Sequence, residues 1–257
     1  MFSWLFGSKN KQGKNLQHAE AVKADFSFLG TDMHSHFIAG IDDGAQTLGD
    51  SVSLIRNMQE MGFKNIVTTP HIKFDHYPNT RETILNGLKE VQQALHENGV
   101  HIPVRAAAEY YIDDHFMQIL EQEELLTIQG NELLVELSFM FEPLGLNEIM
   151  FKIQTKGYQP ILAHPERYSF FHQKTEIFEQ LKSRGVMLQL NTIALTGYYG
   201  KKVKDVAEEL LSKGLYDYCG SDMHHPRHAE TLNKVASLKI FEELKRYPFR
   251  NSRISAI

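Results

Sequence analysis

The feature of this sequence that most constrains its fold is a regular alternation of short β-rich runs with longer helical patterns. Seven β-rich runs predict strands at 28–34, 65–69, 102–108, 133–137, 159–163, 186–190 and 216–220. Helical patterns follow them near 48–61, 80–98, 113–120, 145–156, 174–184, 201–213 and 228–246, and five of these end at a glycine. Strict alternation requires parallel strands joined by right-handed crossovers. Seven such units predict a closed or nearly closed α/β barrel.

The domain organisation is simple. The 257 residues are 42% hydrophobic and 23% charged, a composition that suits one large core and argues against disorder. We predict a flexible N-terminal extension at residues 1–24 and a single catalytic domain at residues 25–257. The extension has an apolar tip followed by basic residues, so an alternative to a mobile tail is a weak membrane-surface contact through residues 1–14.

Charge and cysteine content exclude several classes of protein. The net charge of −5 and the pI of about 6.2 offer no basic surface for nucleic acid. The single cysteine, Cys219, cannot form an internal disulfide and fits a reducing compartment, so we predict a cytoplasmic location. A cysteine-dependent phosphatase needs an arginine six positions after its cysteine, and here that position is His225.

Polar residues that can ligate metal ions occur at the predicted strand ends, where barrel enzymes carry their chemistry. They are His34, His36, Asp42, Asp43, His71, Glu109, Glu136, His164, Asp222 and His224. His34 and His36 lie two residues apart and therefore point the same way on a strand. Singly, Glu109 could form a salt bridge, His71 could cap a loop and His164 could be a core histidine. Together they favour two or three metal ions, and mixed nitrogen and oxygen ligands suit Mn, Fe or Zn better than Mg or Ca.

These residues lie in motifs that resemble a known family. The motifs are D-x-H-S-H at 32–36, G-I-D-D-G-A at 40–45, T-P-H at 69–71, A-E-Y-Y at 108–111, E-L-S at 136–138, A-H-P-E-R-Y at 163–168 and S-D-M-H at 221–224. The family is that of the bacterial metal-dependent protein-tyrosine phosphatases of the polymerase-and-histidinol-phosphatase (PHP) superfamily, found with capsule and exopolysaccharide genes. The resemblance implies a distorted (β/α)7 barrel of the PHP type with a three-metal cluster.

The same resemblance implies a role for each motif residue. The ligands implied for the first metal are His34, His36, Glu109 and Asp222. The ligands implied for the second are Glu109, as a bridge, with Glu136 and His164. The ligands implied for the third are Asp43, His71 and His224, and Asp42 is an alternative to Asp43. The residues that match the family's phosphate-binding arginines are Arg167 and Arg227.

By resemblance the chain is a phosphoric monoester hydrolase that acts on phosphotyrosine. The implied cofactors are two to three divalent transition-metal ions, manganese first and iron or zinc as alternatives. The implied partner is a phosphotyrosine protein, the C-terminal tail of a bacterial tyrosine kinase that controls capsule or exopolysaccharide synthesis.

Two other functions are compatible with the sequence. A small-molecule phosphatase, such as a histidinol phosphatase, would share the metal site and differ in its relative turnover of phosphotyrosine peptides and small phosphate esters. A non-catalytic, metal-stabilised module that docks on a kinase is the third hypothesis. The complete set of predicted ligands, with both arginines present, argues against that last hypothesis.

Overall fold

Short strands and longer helices follow one another along the part of the chain that the structure, a computed structural model, describes: residues 23–122 and 124–255. The strands are β1 (Thr31–Asp32), β2 (Asn65–Thr68), β3 (His71–Ile72), β4 (Val104–Ala106), β5 (Glu109–Tyr111), β6 (Glu132–Glu136), β7 (Gln159–Ala163), β8 (Met187–Asn191) and β9 (Tyr218–Gly220). The helices are α1 (Leu48–Glu60), α2 (Arg81–Glu97), α3 (Asp114–Gln122), α4 (Leu146–Thr155), α5 (Glu176–Ser183), α6 (Lys201–Ser212), α7 (Pro226–Val235) and α8 (Phe241–Leu244).

The predicted extension at residues 1–24 lies outside the described residues except for Lys23 and Ala24, and so does the membrane contact predicted for residues 1–14. Ala24 is buried in the main hydrophobic core. Within the described ranges, no helix has the length and hydropathy needed to span a membrane.

The nine strands of the described chain occupy seven positions around the sheet, because two of the positions each contain two short strands separated by a break. β2 and β3 are separated by residues 69–70, and β4 and β5 by residues 107–108. β2 pairs with β4 and β3 pairs with β5, so each pair of segments is one strand with a break. All pairings are parallel, in the orders β1-β2-β4 and β3-β5-β6-β7-β8-β9.

The last strand position returns to the first and closes the ring. The backbone N–H of Asp222 donates to the carbonyl of His34 at 2.8 Å, and the N–H of His36 donates to the carbonyl of Met223 at 2.9 Å. These bonds flank a parallel bridge between Ser35 and Met223. The predicted distorted (β/α)7 barrel is therefore confirmed in its strand count and its parallel order.

Two predicted elements are wrong in part. The strand predicted at 28–34 is limited to β1, because Leu29 N–H bonds to the Phe26 carbonyl at 2.9 Å in a turn that continues into Gly30, whose φ is 71°. The helix predicted at 228–246 is divided into α7 and α8. Between them the backbone makes tight turns such as Phe241 N–H to the Leu238 carbonyl, and Phe241 packs edge-on against Phe26 at 5.5 Å.

An apolar cluster fills the ring beneath the polar strand ends. Its members from the seven strand positions are Met33, Val67, Ala107, Leu134, Ile161, Met187 and Tyr218, all buried. Ile254 joins this cluster from the C-terminal segment. Because the lower ring is packed with side chains, the functional residues are confined to the other end of the barrel.

One C-terminal side chain joins the first and last strands where they do not pair directly. The Nδ2 group of Asn251 donates to the carbonyls of Thr31 and Cys219, at 2.9 and 2.6 Å. Its Oδ1 accepts from the N–H of Cys219 at 3.0 Å. Asn251 is fully buried, so water cannot replace these bonds.

We expect Asn251→Ala to lower the free energy of unfolding by about 2–4 kcal/mol, because it leaves three buried backbone groups unpaired. Urea unfolding measures the change. The matched control is Ser252→Ala at the neighbouring exposed position, which should stay within about 0.5 kcal/mol of the wild type. Equal stabilities of the two variants would contradict the assigned role of Asn251.

Candidate metal centre

The nine predicted metal ligands converge at one end of the barrel, around a cavity of about 430 Å³. Those that line the cavity are Asp43, His71, Glu109, Glu136, His164, Asp222 and His224. His34 and His36 lie just beneath it, with 0% of each residue exposed. Three groups of these residues bring their ligand atoms within 4.8 Å of one another.

The first group is the one predicted for the first metal: His34, His36, Glu109 and Asp222. The Nε2 atom of His34 lies 3.1 Å from Glu109 Oε2 and 3.3 Å from Asp222 Oδ1. The Nε2 atom of His36 lies 3.5 and 3.4 Å from the same two oxygens. Two imidazoles and two carboxylates thus face a common point.

The opposite nitrogens of both imidazoles have fixed partners. His34 Nδ1 donates to Gln189 Oε1 at 2.8 Å, and His36 Nδ1 donates to Asp42 Oδ2 at 2.8 Å. Burial lowers the pKa of His34, but the carboxylates of Glu109 and Asp222 outweigh burial and raise it. A divalent cation between these groups would take the place of the proton and accept the lone pair of each Nε2. The arrangement is therefore the one expected of a neutral histidine ligand held by an outer partner.

A second group surrounds the pair Glu109 and Glu136. His164, the histidine predicted for the second metal, has its Nε2 3.0 Å from Glu109 Oε1 and 3.6 Å from Glu136 Oε1, but the group of mutually close ligand atoms contains His71 in its place. The structure also brings His71 to this pair, with Nδ1 at 3.2 Å from Glu109 Oε2 and 3.9 Å from Glu136 Oε2. Glu109 therefore lies between the first two groups, where a bridging ligand would be.

The third group contains the predicted Asp43, His71 and His224, and adds His36. Asp43 Oδ1 lies 3.4 Å from His224 Nε2 and 3.6 Å from His71 Nε2. Asp42, the alternative to Asp43, is not one of the grouped ligands, because its oxygens accept other hydrogen bonds. It accepts from His36 and from the backbone N–H groups of Gly44 and His71. Its position suits an outer partner of His36.

Burial shifts the pKa values of several carboxyl and imidazole groups in the cluster. Burial raises the pKa of Glu136 well above its ordinary range, and the neighbouring Glu109 raises it further. Burial also opposes ionisation of Glu109, but the charge of the neighbouring His34 imidazole and the hydrogen bonds that Glu109 accepts outweigh burial and lower its pKa. Burial lowers the pKa of His71 and of His164 to about 4, which leaves both imidazoles neutral and able to ligate.

Two further observations indicate that the cluster fits divalent cations. Asp222 Oδ1 is buried and makes no hydrogen bond among the described residues, although it faces the two imidazoles of the first group. Asp222 and His164 are the two non-glycine residues of the described chain with a positive φ, at 49° and 31°. Strain of this kind persists where the surrounding structure holds a side chain in a functional geometry. Four carboxylates among five imidazoles form a ligand set suited to Mn, Fe or Zn.

Of the two predicted arginines, the structure brings Arg167 to the cavity. Its Nη1 donates to Asp222 Oδ2 at 2.9 Å, and 22% of its side chain is exposed. Arg227, near the start of α7, is exposed and is absent from the cavity lining, with Cζ 5.5 Å from the ring centre of Tyr198 at the cavity edge. Its role in phosphate binding stays a prediction.

Several cavity residues were not identified from the sequence. They are Lys73, His76, Tyr77, Phe139, Tyr198, Tyr199, His225 and His228. Phe139 directly follows the E-L-S motif and Lys73 lies two residues after T-P-H, so proximity to a strand end could have found both. Tyr199 lies eight residues beyond the end of β8 at Asn191, and no local pattern marks it.

Comparison with known proteins gives consistent matches. The family model "Capsular polysaccharide synthesis, CpsB/CapC" matches residues 30–239. The tyrosine-protein phosphatase YwqE of Bacillus subtilis (strain 168) is 27% identical over 195 residues, 76% of this chain and 77% of YwqE. The tyrosine-protein phosphatase CpsB of Streptococcus agalactiae is 24% identical over 200 residues, 76% of this chain and 82% of that protein.

The fold also matches a solved structure. It comes from the work "Crystal structures of YwqE from Bacillus subtilis and CpsB from Streptococcus pneumoniae, unique metal-dependent tyrosine phosphatases". The TM-score is 0.77 at 24% identity, over 87% of this chain and 93% of that chain. At this identity the likeness concerns the fold, and it agrees with the parallel α/β barrel described above.

We expect protein purified without chelator to carry two to three transition-metal ions per chain, and Glu109→Ala to lose most of them, because Glu109 faces two of the three groups. His36→Ala should behave similarly, since His36 also belongs to two groups. Elemental analysis gives the metal content, and circular dichroism confirms the fold. The matched control is Glu124→Ala, an exposed carboxylate outside the cavity. Folded Glu109→Ala protein with the wild-type metal content would refute the assignment.

Proposed function

Because the chain belongs to the CpsB/CapC family of capsular polysaccharide synthesis, we propose that it is a metal-dependent protein-tyrosine phosphatase. The resemblance drawn from the motifs is confirmed at the level of this family. Its relatives YwqE and CpsB are tyrosine-protein phosphatases. The observation that carries the proposal is the convergence of nine ligand-type side chains and one arginine on a single cavity.

The proposed cofactors are two to three divalent transition-metal ions, manganese first and iron or zinc as alternatives. The residues that would hold them are His34, His36, Asp43, His71, Glu109, Glu136, His164, Asp222 and His224. Bound there, the ions would supply a hydroxide nucleophile near neutral pH and neutralise charge on the phosphoryl oxygens.

The protein's own part in the reaction is to orient these ligands and to bind the phosphoryl group. Gln189 and Asp42 fix the two histidines of the first group through their Nδ1 atoms. Arg167 uses one N–H on Asp222, so the other donors of its planar fork are available to phosphoryl oxygens. Because Asp222 also belongs to the first group, Arg167 lies beside the proposed metals.

The cavity walls support an aromatic phosphate ester as the substrate. Two aromatic side chains of the lining, Tyr77 and Tyr198, are available to a substrate at the mouth. Such rings can pack against the phenyl group of phosphotyrosine. We propose that this phosphotyrosine belongs to a protein, the C-terminal tail of a bacterial tyrosine kinase that controls capsule or exopolysaccharide synthesis, and that the reaction takes place in the cytoplasm.

The one cysteine does not offer an alternative nucleophile. Cys219 is completely buried in β9, and burial raises the pKa of its thiol to about 12. Its sulfur lies 2.9 Å from the hydroxyl of Thr192. A nucleophilic cysteine needs an accessible thiolate, so Cys219 does not support a cysteine mechanism.

The proposed function is tested by comparing substrates and by removing metal. We expect metal-replete protein to hydrolyse a phosphotyrosine peptide with a higher kcat/KM than histidinol phosphate. Chelation should abolish the activity and manganese should restore it, because the nucleophile depends on the metal. A preference for histidinol phosphate would favour the small-molecule phosphatase. Full activity with less than one ion per chain would refute metal dependence.

We expect Arg167→Lys to reduce kcat/KM for the phosphotyrosine peptide roughly 30- to 150-fold, since it removes one of two donors to the phosphoryl group, worth about 2–3 kcal/mol. Metal content and melting temperature should change little, because a cation does not ligate metal. The matched control is Arg184→Lys at an exposed position, which should match the wild type. A reduction of less than about threefold would exclude Arg167 as a phosphate ligand.

A further inference from the structure

Two aromatic rings enclose the guanidinium of Arg167. Its Cζ atom lies 4.4 Å from the ring centre of Phe139 and 4.4 Å from that of Tyr199. Phe139 follows β6, whereas Tyr199 lies between β8 and α6, so two separate loops supply the rings. Contacts at this distance are favourable cation–π interactions and also restrict the movement of a long, flexible side chain.

Each ring has its own support. Phe139 stacks on the buried Tyr168, with ring centres 5.7 Å apart and an interplanar angle of 27°. The hydroxyl of Tyr199 accepts a hydrogen bond from Asn191 Nδ2 at 3.2 Å. The same Asn191 group donates to Asp222 Oδ2 at 2.8 Å, the oxygen that accepts from Arg167. The rings are thus anchored independently of any substrate.

The enclosure determines which part of Arg167 can meet a ligand. Phe139 and Tyr199 contact the guanidinium of Arg167, so the edges of this group are the part that can form hydrogen bonds with a ligand. One edge N–H, on Nη1, is used by Asp222, and within the described chain the side chain makes no other hydrogen bond. A guanidinium has five N–H donors, so several remain for the cavity. Preorganised donors bind an anion better than mobile ones because less ordering is required on binding.

We propose that Phe139 and Tyr199 are positioning residues that fix Arg167 for phosphoryl binding. The inference rests on the proposed function for its turnover readout, but its binding readout requires only that the cavity takes phosphate. The rings act through Arg167, so their effect must disappear when the guanidinium is absent. This dependence separates positioning from a direct contact between either ring and the substrate.

The experiment measures inorganic phosphate binding by calorimetry, and phosphotyrosine-peptide kinetics, on metal-replete full-length protein. We expect Phe139→Leu and Tyr199→Leu each to weaken phosphate binding and lower kcat/KM by about tenfold, with metal content unchanged. Tyr199→Phe keeps the ring and loses only its bond to Asn191, so its loss should be clearly smaller than that of Tyr199→Leu. Phe141→Leu is the matched control, because this exposed phenylalanine belongs to the same loop and lies outside the cavity lining.

A double-mutant cycle decides the outcome. In an Arg167→Ala background, neither leucine substitution should weaken phosphate binding further. A further loss in that background, or wild-type binding by both single variants, would overturn the proposal. If one leucine variant fails to fold, the cycle can still be completed with the other leucine variant. Phosphate binding without phosphotyrosine turnover would refute the proposed function, while the phosphate cycle would still test the role of the two rings.

Discussion

The site depends on one carboxylate that has no access to solvent. Glu109 lies at the start of β5 with 0% exposure, and its two oxygens lie between 3.0 and 3.5 Å from the imidazoles of His34, His36, His71 and His164. A buried carboxylate is costly unless positive charge or metal compensates it. The imidazoles around it come from several strand positions. Closure of the ring of strands therefore brings together the groups that stabilise this buried carboxylate.

Asp222 contributes both to closure of the barrel and to the site. The backbone N–H of Asp222 makes a ring-closing bond to His34, while its side chain faces both the imidazole cluster and Arg167. Next to it, Ser221 donates from its N–H and its hydroxyl to the two oxygens of Asp32, at 2.8 and 2.9 Å. Asp32, which precedes the H-x-H pair, thus braces the final strand end. The backbone bond to His34 and the side-chain contact with Arg167 together hold Asp222 at its positive φ.

The sequence alone predicted much of the fold. Helix positions agreed within a few residues because an apolar period and a terminal glycine are local signals, as at Gly62 after α1. Prediction failed where longer-range packing decided the backbone. The turn before β1 and the division between α7 and α8 both accompany the packing of Phe26 against Phe241, residues at opposite ends of the described chain.

For the site, the sequence determined the chemistry at the strand ends, because the residue types and their spacing are local and a parallel barrel gathers such ends together. Only the tertiary structure decided how these residues group. It brought His36 into the group of Asp43, His71 and His224, and it turned Asp42 toward His36. It also enclosed Arg167 and left Arg227 exposed. These outcomes depend on distances between residues far apart in the chain, which are set by strand register and loop packing, and no local pattern encodes them.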